Sequence, residues 1–196
     1  MINASTFTFD SDTHTYRLNG QIVPSVTQVI GTIQLWRGMS PDALERARIR
    51  GHAVDDAINK FDAGELGLDD IDEEILPYVH AWVAFLSNTK SIVLDSQLAG
   101  YNATYRYAGT LDKIVQFHGG SIALIDIKAT AVIEPETALQ TAAYEAMGNV
   151  SQRNMNRFTL QLRPDATYRL YEWRDRNDFP TFLAALTLTN WRLKND

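Results

Sequence analysis

Residues 106–144 read RYAGTLDKIVQFHGGSIALIDIKATAVIEPETALQTAAY, and this stretch decides the fold. Between positions 122 and 127, large apolar side chains stand at both odd and even positions, a pattern typical of a β-strand that is covered on both faces. Asp126 and Lys128 bring charge into this apolar strand, where an unpaired charge is costly. Both residues are therefore candidates for a functional role.

The spacing of the charges predicts that they share one face of the sheet. Side chains two residues apart on a strand point the same way, so Asp126 and Lys128 lie together while Ile127 points to the other face. A three-residue loop at positions 118–120 would place Asp112 opposite Asp126, whereas a two-residue Gly-Gly loop would place it opposite Ile127. Two carboxylates about 4 to 5 Å apart repel by roughly 3 to 4 kcal/mol at an effective dielectric constant of about 20. With the three-residue loop the pair needs a proton or a cation, and a divalent metal is the expected occupant.

Several short motifs follow one another along the chain. GTLD ends at Asp112, DIK stands at positions 126–128, and QxxxY joins Gln140 to Tyr144. Outside the central stretch lie HxY at 14–16, PSVT at 24–27, RGxxV at 50–54, YRLY at 168–171, DF at 178–179 and FL at 182–183. This ordered set resembles the PD-(D/E)XK nuclease superfamily, in the branch of RecB-like nucleases and phage exonucleases, over most of the chain.

The resemblance implies a fold and an activity. The expected fold is α/β, with a central mixed β-sheet flanked by helices and a restriction-endonuclease-like core in the order helix, three strands, helix, strand. The expected activity is hydrolysis of DNA phosphodiester bonds by an exonuclease of the phage type, with Mg²⁺ or Mn²⁺ as cofactor. The expected partners are DNA and, as a further candidate, a recombinase or a single-strand annealing protein. Exonuclease and endonuclease action both stay open.

The resemblance also gives roles to individual residues. The catalytic set is Asp112, Asp126, Lys128, Gln140 and Tyr144. The metal ligands are Asp112, Asp126, the Ile127 carbonyl, Gln97 and Asp55. The predicted DNA contacts are Ser25, Thr27, Arg50, Arg106 and Thr110. In this scheme Lys128 orients or deprotonates the attacking water, and Gln140 and Tyr144 position the lysine or the phosphate backbone.

Two positions depart from the family's pattern. The family usually carries glutamate where Gln97 stands, and an amide oxygen brings no charge to a metal; Asp95 is the alternative source of a carboxylate. Asp55 stands where the family often has histidine, and His52 is interpreted as a surface residue. We therefore expect weak activity with Mg²⁺ and better activity with Mn²⁺. A catalytically weakened nuclease-fold protein that binds DNA or a recombination partner without cutting is the alternative function, and a buried structural ion-pair network is the alternative role of the charged cluster.

The composition narrows the class of protein. The 196 residues are 45% hydrophobic, which suffices for a sizeable core and predicts one domain over residues 1–196 with an N-terminal extension to about residue 40. Without cysteine, a metal would be held by oxygen or imidazole, which favours Mg²⁺ or Mn²⁺ over structural zinc. The chain shows neither a long apolar run nor a signal-peptide pattern, so we expect a cytoplasmic protein with no membrane partner, in the bacterial host cell if the chain is phage-encoded. The formal net charge is −6, yet the arginines within 46–50 and within 153–163 predict a local positive stripe for DNA.

Periodicity and turn signals predict the remaining elements. A small hairpin is expected within residues 6–23, and Ser25 is interpreted either as the cap of a helix at 26–35 or as a phosphate contact at the N-terminus of that helix. Helices are predicted at 41–61, 73–86, 135–147 and 178–193, and strands at 91–98, 157–162 and 168–173. Gly51 lies on the apolar stripe of the second helix, where it would let the helix approach the sheet closely.

Overall fold

The helices and strands follow the chain in the order that the sequence predicts. The computed structural model describes residues 6–33, 40–148, 150 and 155–195, so the predicted end of the first helix at residue 35 lies outside the described residues. The strands are β1 (Phe7–Asp10), β2 (Thr15–Leu18), β3 (Gln21–Ile22), β4 (Ile92–Asn102), β5 (Tyr107–Gln116), β6 (Ile122–Lys128), β7 (Asn156–Leu162) and β8 (Tyr168–Trp173). The helices are α1 (Val26–Ile33), α2 (Pro41–Asp62), α3 (Leu76–Thr89), α4 (Glu136–Glu145) and α5 (Asp178–Asn195). Of the described helices, none is long and apolar enough to cross a membrane.

The strands form two sheets. The first is a three-stranded antiparallel sheet in the order β1-β2-β3, and the second has five strands in the order β4-β5-β6-β7-β8. Strands β6 and β7 run parallel, and α4 supplies the crossover connection that parallel strands need. The other neighbours in the large sheet are antiparallel. The fold is therefore α/β with a central mixed sheet flanked by helices. Its core order of helix, three strands, helix, strand, which runs from α3 to β7, is confirmed.

Helices cover both faces of the large sheet. On one face α1, α4 and α5 pack against Leu124 and Ile114, and on the other α2 and α3 pack against Ile125 and Val115. Strand β6 stands in the middle of the sheet, and its neighbouring residues Leu124 and Ile125 are both fully buried in opposite cores. This explains why apolar side chains stand at both odd and even positions of that strand. The prediction that it is covered on both faces is confirmed.

The β5–β6 hairpin has the register of a three-residue loop. Lys113 pairs with Ile125 and Gln116 with Ile122, and the amide of Phe117 donates to the carbonyl of Ser121 at 2.9 Å. The loop residues Gly119 and Gly120 have φ values of +103° and +94°, which glycine adopts without steric cost. One step beyond the last paired residues, Asp112 therefore lies across from Asp126, as the first of the two alternatives requires.

Gly51 does not serve close packing, and that prediction was wrong. A Cβ at this position would meet none of the described heavy atoms within 4 Å, apart from the helix's own backbone. The tight contact of α2 with the rest of the protein begins one turn later, where Val54 and Ile58 are buried. The N-terminal half of α2 is therefore the more exposed half.

Arg157 does not belong to a positive stripe on the surface, which corrects the sequence prediction. The side chain is only 7% exposed and forms ion pairs with Glu145 at 3.1 Å and Asp178 at 3.0 Å. Arg163 contacts Gln161, and Arg153 lies outside the described residues. The charge of Arg157 is neutralised because β7 directs it towards Glu145 at the end of α4 and Asp178 at the start of α5, so this residue adds no charge to a positive stripe.

Candidate metal centre

The open end of the β5–β6 hairpin brings three charged groups together. Lys128 Nζ lies 2.8 Å from Asp126 Oδ1, and the carboxylate of Asp112 accepts the backbone amide of Ile127 at 2.7 Å. Asp126 is only 1% exposed, whereas the side chain of Lys128 is 28% exposed. The predicted association of Asp112, Asp126 and Lys128 on one face is therefore what the structure shows.

Asp55 and Gln97 reach the same cluster from α2 and β4. Gln97 Nε2 donates to Asp55 Oδ2 at 2.9 Å, and the charges of Asp112 and Asp126 act on Asp55. Gln97 has a φ of +49° in the middle of its strand, a left-handed conformation that interrupts the regular alternation of side chains. Asp95, the alternative carboxylate, pairs with Ile114 in the same sheet. That Gln97 is a metal ligand remains a prediction, and Asp95 remains the alternative.

Burial perturbs the protonation of this cluster. Burial raises the pKa of Asp126 to about 7, with the charge of Asp112 adding to the increase. Burial and the charge of Asp112 raise the pKa of Asp55 to about 7 as well, and burial raises the pKa of Asp112. For Lys128, burial lowers the pKa but the charges of Asp126 and Asp112 outweigh it. Burial thus favours the protonated form of these carboxyl groups, and a bound cation would favour the charged form instead.

Two carboxylate oxygens of the cluster lack a hydrogen-bond donor. Among the residues that the structure describes, Asp126 Oδ2 and Asp55 Oδ1 are buried and have no hydrogen-bond partner. Those residues also contain no group of three or more His, Cys, Asp or Glu side chains arranged to hold a metal ion. Mg²⁺ is commonly held by one or two carboxylates and keeps several water ligands. The orphaned oxygens fit such a cation, with the backbone carbonyl of Ile127 and the amide of Gln97 as further oxygen donors.

Gln140 and Tyr144 form the wall of the site on α4. Gln140 Nε2 donates to the Tyr144 hydroxyl at 3.0 Å, and both side chains are buried. Burial raises the pKa of Tyr144 well above its ordinary value, and the charges of Asp112 and Asp126 act in the same direction. The hydroxyl of Tyr144 therefore stays protonated and can only donate or accept a hydrogen bond.

Gly109 allows Tyr144 to approach β5. A Cβ on Gly109 would lie 2.8 Å from Cε1 of Tyr144 and 3.1 Å from Cγ2 of Val26, both buried. We expect Gly109→Ala to lower the free energy of unfolding by about 1 to 3 kcal/mol, because neither neighbour can move without disturbing the core. Gly51→Ala is the matched control and should raise it by roughly 0.5 to 1 kcal/mol, since its Cβ enters open space in mid-helix. Urea denaturation measures both, and equal effects of the two substitutions would contradict the prediction.

The predicted DNA contacts near α1 have mainly structural partners. Ser25 is buried, and its Oγ accepts the amide of Gln28 at 3.0 Å while Gln28 Oε1 accepts the amide of Ser25 at 2.9 Å. This reciprocal pair confirms the capping role of Ser25. Thr27 is exposed, and Thr110 shares a hydrogen bond of 2.9 Å with the Tyr16 hydroxyl. A phosphate contact by any of these residues remains a prediction.

The two predicted arginines lie at different distances from the cluster. Arg50 Nη2 donates to the carbonyl of Ala129, which follows Lys128, at 3.4 Å, so Arg50 lies against the end of β6. Its Nε is buried and has no hydrogen-bond partner in the described part of the chain. Arg106 is exposed, bonds to Gln21 at 2.7 Å and precedes Asp112 by about 20 Å of extended strand. The structure therefore brings Arg50 to the site but not Arg106.

Sequence reasoning missed a second buried charge next to Asp112. Lys113 is fully buried on the opposite face of β5, where its Nζ lies 2.6 Å from Asp62 Oδ2 and 2.9 Å from Ser96 Oγ. The indole of Trp82 donates to the other oxygen of Asp62 at 2.8 Å. A lysine with Leu111 and Val115 two positions away on either side, in a central strand, is the signal that could have revealed this network.

Comparison with known proteins finds likeness only among solved structures. No protein-family model and no curated protein matches the sequence. An alkaline exonuclease from Laribacter hongkongensis (LHK-Exo) is 13% identical, with 86% of each chain covered and a TM-score of 0.49; in its complex with dAMP the values are 15%, 88% and 0.49. The protein SSO0001 is 14% identical with a TM-score of 0.37; the match covers 58% of this chain, which spans just over half, 56%, of that protein. These identities and TM-scores are too low to assign a family.

Proposed function

We propose that this chain is a metal-dependent nuclease that hydrolyses phosphodiester bonds in DNA. The observation that carries the proposal is the pair of orphaned, buried carboxylate oxygens on Asp126 and Asp55, which lie in one charged cluster with Asp112 and Lys128. A purely structural network would satisfy such oxygens with donors of the protein. The order of the GTLD, DIK and QxxxY motifs supports the same conclusion, since it resembles that of PD-(D/E)XK nucleases.

The roles of the residues follow from their contacts. Asp112, Asp126 and Asp55 would hold Mg²⁺ or Mn²⁺ together with the Ile127 carbonyl and Gln97, and the bound cation would polarise the scissile phosphate and lower the pKa of a water molecule. Lys128, which is paired with Asp126 yet partly exposed, keeps a positive charge at the mouth of the site. The Tyr144 hydroxyl, oriented by Gln140, supplies a neutral donor on the α4 side.

The second candidate function is DNA binding without cleavage. It is favoured by the contact between Gln97 Nε2 and Asp55 Oδ2, because the amide already satisfies one oxygen of that carboxylate without bringing charge to a metal. Incubation with end-labelled linear DNA and with circular DNA, in Mg²⁺, Mn²⁺ or EDTA, separates the two functions. Cleavage of linear DNA alone would indicate an exonuclease, and cleavage of both would indicate an endonuclease. Binding without cleavage in either metal would overturn the nuclease proposal.

A recombinase or a single-strand annealing protein is the proposed macromolecular partner. The proposal follows from the resemblance to phage exonucleases. Co-purification of the tagged chain with a candidate annealing protein, in the presence of a DNA-degrading enzyme that removes bridging DNA, tests it. Loss of the association after DNA removal would contradict a direct contact.

Replacing Gln97 by glutamate should strengthen metal binding. The added carboxylate stands next to Asp55, so it increases the negative charge around a cation, and ligand charge is a main determinant of affinity for hard cations. We expect a gain of about tenfold or more in Mn²⁺ and Mg²⁺ affinity by titration calorimetry, together with higher activity in Mg²⁺. If Gln97→Glu changes neither, while Asp95→Asn abolishes both metal binding and cleavage, Asp95 is the ligand.

A further inference from the structure

Beside the candidate metal centre, the N-terminal sheet carries a stack of aromatic rings. Tyr101, Phe7, Tyr16 and Phe9 follow one another with successive ring centroids 4.8, 6.4 and 4.6 Å apart, and their interplanar angles are 28°, 13° and 13°. His14 stands edge-on to Phe9 at 5.4 Å. Tyr16 is buried, Phe9 is half-buried and His14 is exposed. Among the described rings, the buried Tyr16 thus stands inside the stack, its two ends at Tyr101 and Phe9 are half-buried, and the Phe9 end lies beside the exposed His14.

Hydrogen bonds tie this stack to the strand that carries Asp112. The hydroxyl of Tyr16 shares a hydrogen bond of 2.9 Å with Thr110 Oγ1 and one of 3.2 Å with Nε2 of His14. Besides burial, the charges of Asp112, Asp126 and Tyr16 raise the pKa of Tyr144, so the Tyr16 hydroxyl lies near the same wall of the site. The outer rings are therefore held in a fixed position relative to the carboxylate cluster.

The turn that presents His14 is itself ordered. The carboxylate of Asp10 accepts the amides of Asp12 at 3.0 Å and Thr13 at 3.2 Å. His14 has a φ of +50°, which lifts its ring out of the regular strand and places it against the edge of Phe9. The exposed ring is thus held in place by the turn and by its hydrogen bond to the Tyr16 hydroxyl.

We propose that Phe9 stacks on one unpaired nucleobase of the DNA strand that enters the metal centre, with the perpendicular ring of His14 at the side of that base. The inference rests on the proposed nuclease function. A nucleobase is a flat ring that can continue a series of parallel aromatic rings, and stacking of this kind accepts any base, as a nuclease without sequence preference requires. The stacked base would fix the strand while a neighbouring phosphate reaches Lys128.

The test is a binding experiment in EDTA, so that it does not depend on cleavage. Fluorescence anisotropy measures the affinity of wild-type protein for a labelled oligothymidylate and for a series of strands that carry one abasic residue at successive positions. We expect one abasic position to weaken binding by about fivefold or more. Asn at position 14 removes the ring but tolerates the positive φ. In His14→Asn and in Phe9→Leu, an abasic residue at that position should weaken binding no more than one at any other position.

His118→Asn is the matched control, because it removes an exposed histidine from the β5–β6 loop at the other end of the hairpin, and it should keep the wild-type profile. The inference is overturned if wild type shows no sensitive position, or if both stacking variants retain it. Failure of the proposed function looks different: wild-type protein would bind the strands with a sensitive position but leave linear DNA uncut in Mg²⁺ and Mn²⁺. Absence of any DNA binding would overturn both.

Discussion

Asp126→Asn should abolish metal-dependent DNA cleavage without destabilising the metal-free protein at pH 8. The activity should fall on the order of 10³-fold or more, because a cation's stabilisation of developing charge is worth several kcal/mol and the variant lacks one of the proposed metal ligands. The fold should tolerate the change because Asp126 Oδ2 has no hydrogen-bond partner among the described residues, and Lys128 is exposed enough to be hydrated.

The raised pKa of Asp126 predicts how the stability of the variant, relative to wild type, changes with pH. Burial raises the pKa of Asp126 from 3.8 to about 7, so in the folded protein the carboxyl keeps its proton at pH values where the unfolded chain has lost it. The stabilisation by that proton is present below about pH 4 and is lost as the pH rises through about 7. The variant cannot lose it, so its stability relative to wild type should increase between pH 5 and pH 8.

Thermal unfolding in EDTA at the two pH values measures this difference, and a nuclease assay in Mn²⁺ measures the activity. Asp69→Asn is the matched control, because it neutralises an exposed aspartate in the short 3-10 helix (Leu68–Asp70) before α3 and should change neither quantity appreciably. A variant that keeps wild-type cleavage and loses stability at pH 8 would instead show that Asp126 belongs to a structural ion-pair network.

The largest loss of stability is expected from Lys113→Met. The substitution leaves Asp62 with an uncompensated charge in a largely buried position, where its side chain is 13% exposed. Breaking a buried pair from one side typically costs about 3 to 5 kcal/mol. The double variant Lys113→Met/Asp62→Asn should recover most of that loss, because asparagine is neutral and its oxygen can still accept the indole of Trp82.

Lys60→Met is the matched control for the buried lysine. Lys60 also pairs with an aspartate, Asp56, at 2.7 Å, but both side chains are at least half exposed. Its replacement should change the free energy of unfolding far less, since exposed ion pairs contribute little. Urea denaturation of the three variants decides the matter. If the double variant is as unstable as Lys113→Met alone, the loss comes from packing rather than from charge.

The candidate site was predictable where it depends on local repeats. The period of two residues along a strand places Asp126 beside Lys128, and the helical repeat places Gln140 beside Tyr144. The loop length decides whether Asp112 faces Asp126, and the sequence left two lengths open. The structure selected the three-residue loop.

Contacts between distant elements could not be predicted in this way. Gln97 contacts Asp55 because Gln97 itself has a left-handed conformation that interrupts β4. No periodic pattern in the sequence predicts such an interruption. Arg157 looked like a surface residue because its two acidic partners come from other elements, Glu145 at the end of α4 and Asp178 at the start of α5.

The sequence by itself therefore determined the order of the elements, the doubly covered strand β6 and the face shared by Asp126 and Lys128. These features depend on the backbone repeat and on the pattern of apolar side chains, and both can be recognised from residues that are close together in the chain. Only the tertiary structure decided which charges are paired, which carboxylate oxygens lack a partner and which aromatic rings stack on one another. The reason is that the free energy of a buried charge depends on the groups that other helices and strands bring to it, and Lys113 meets Asp62 only because α2 packs on that face of the sheet.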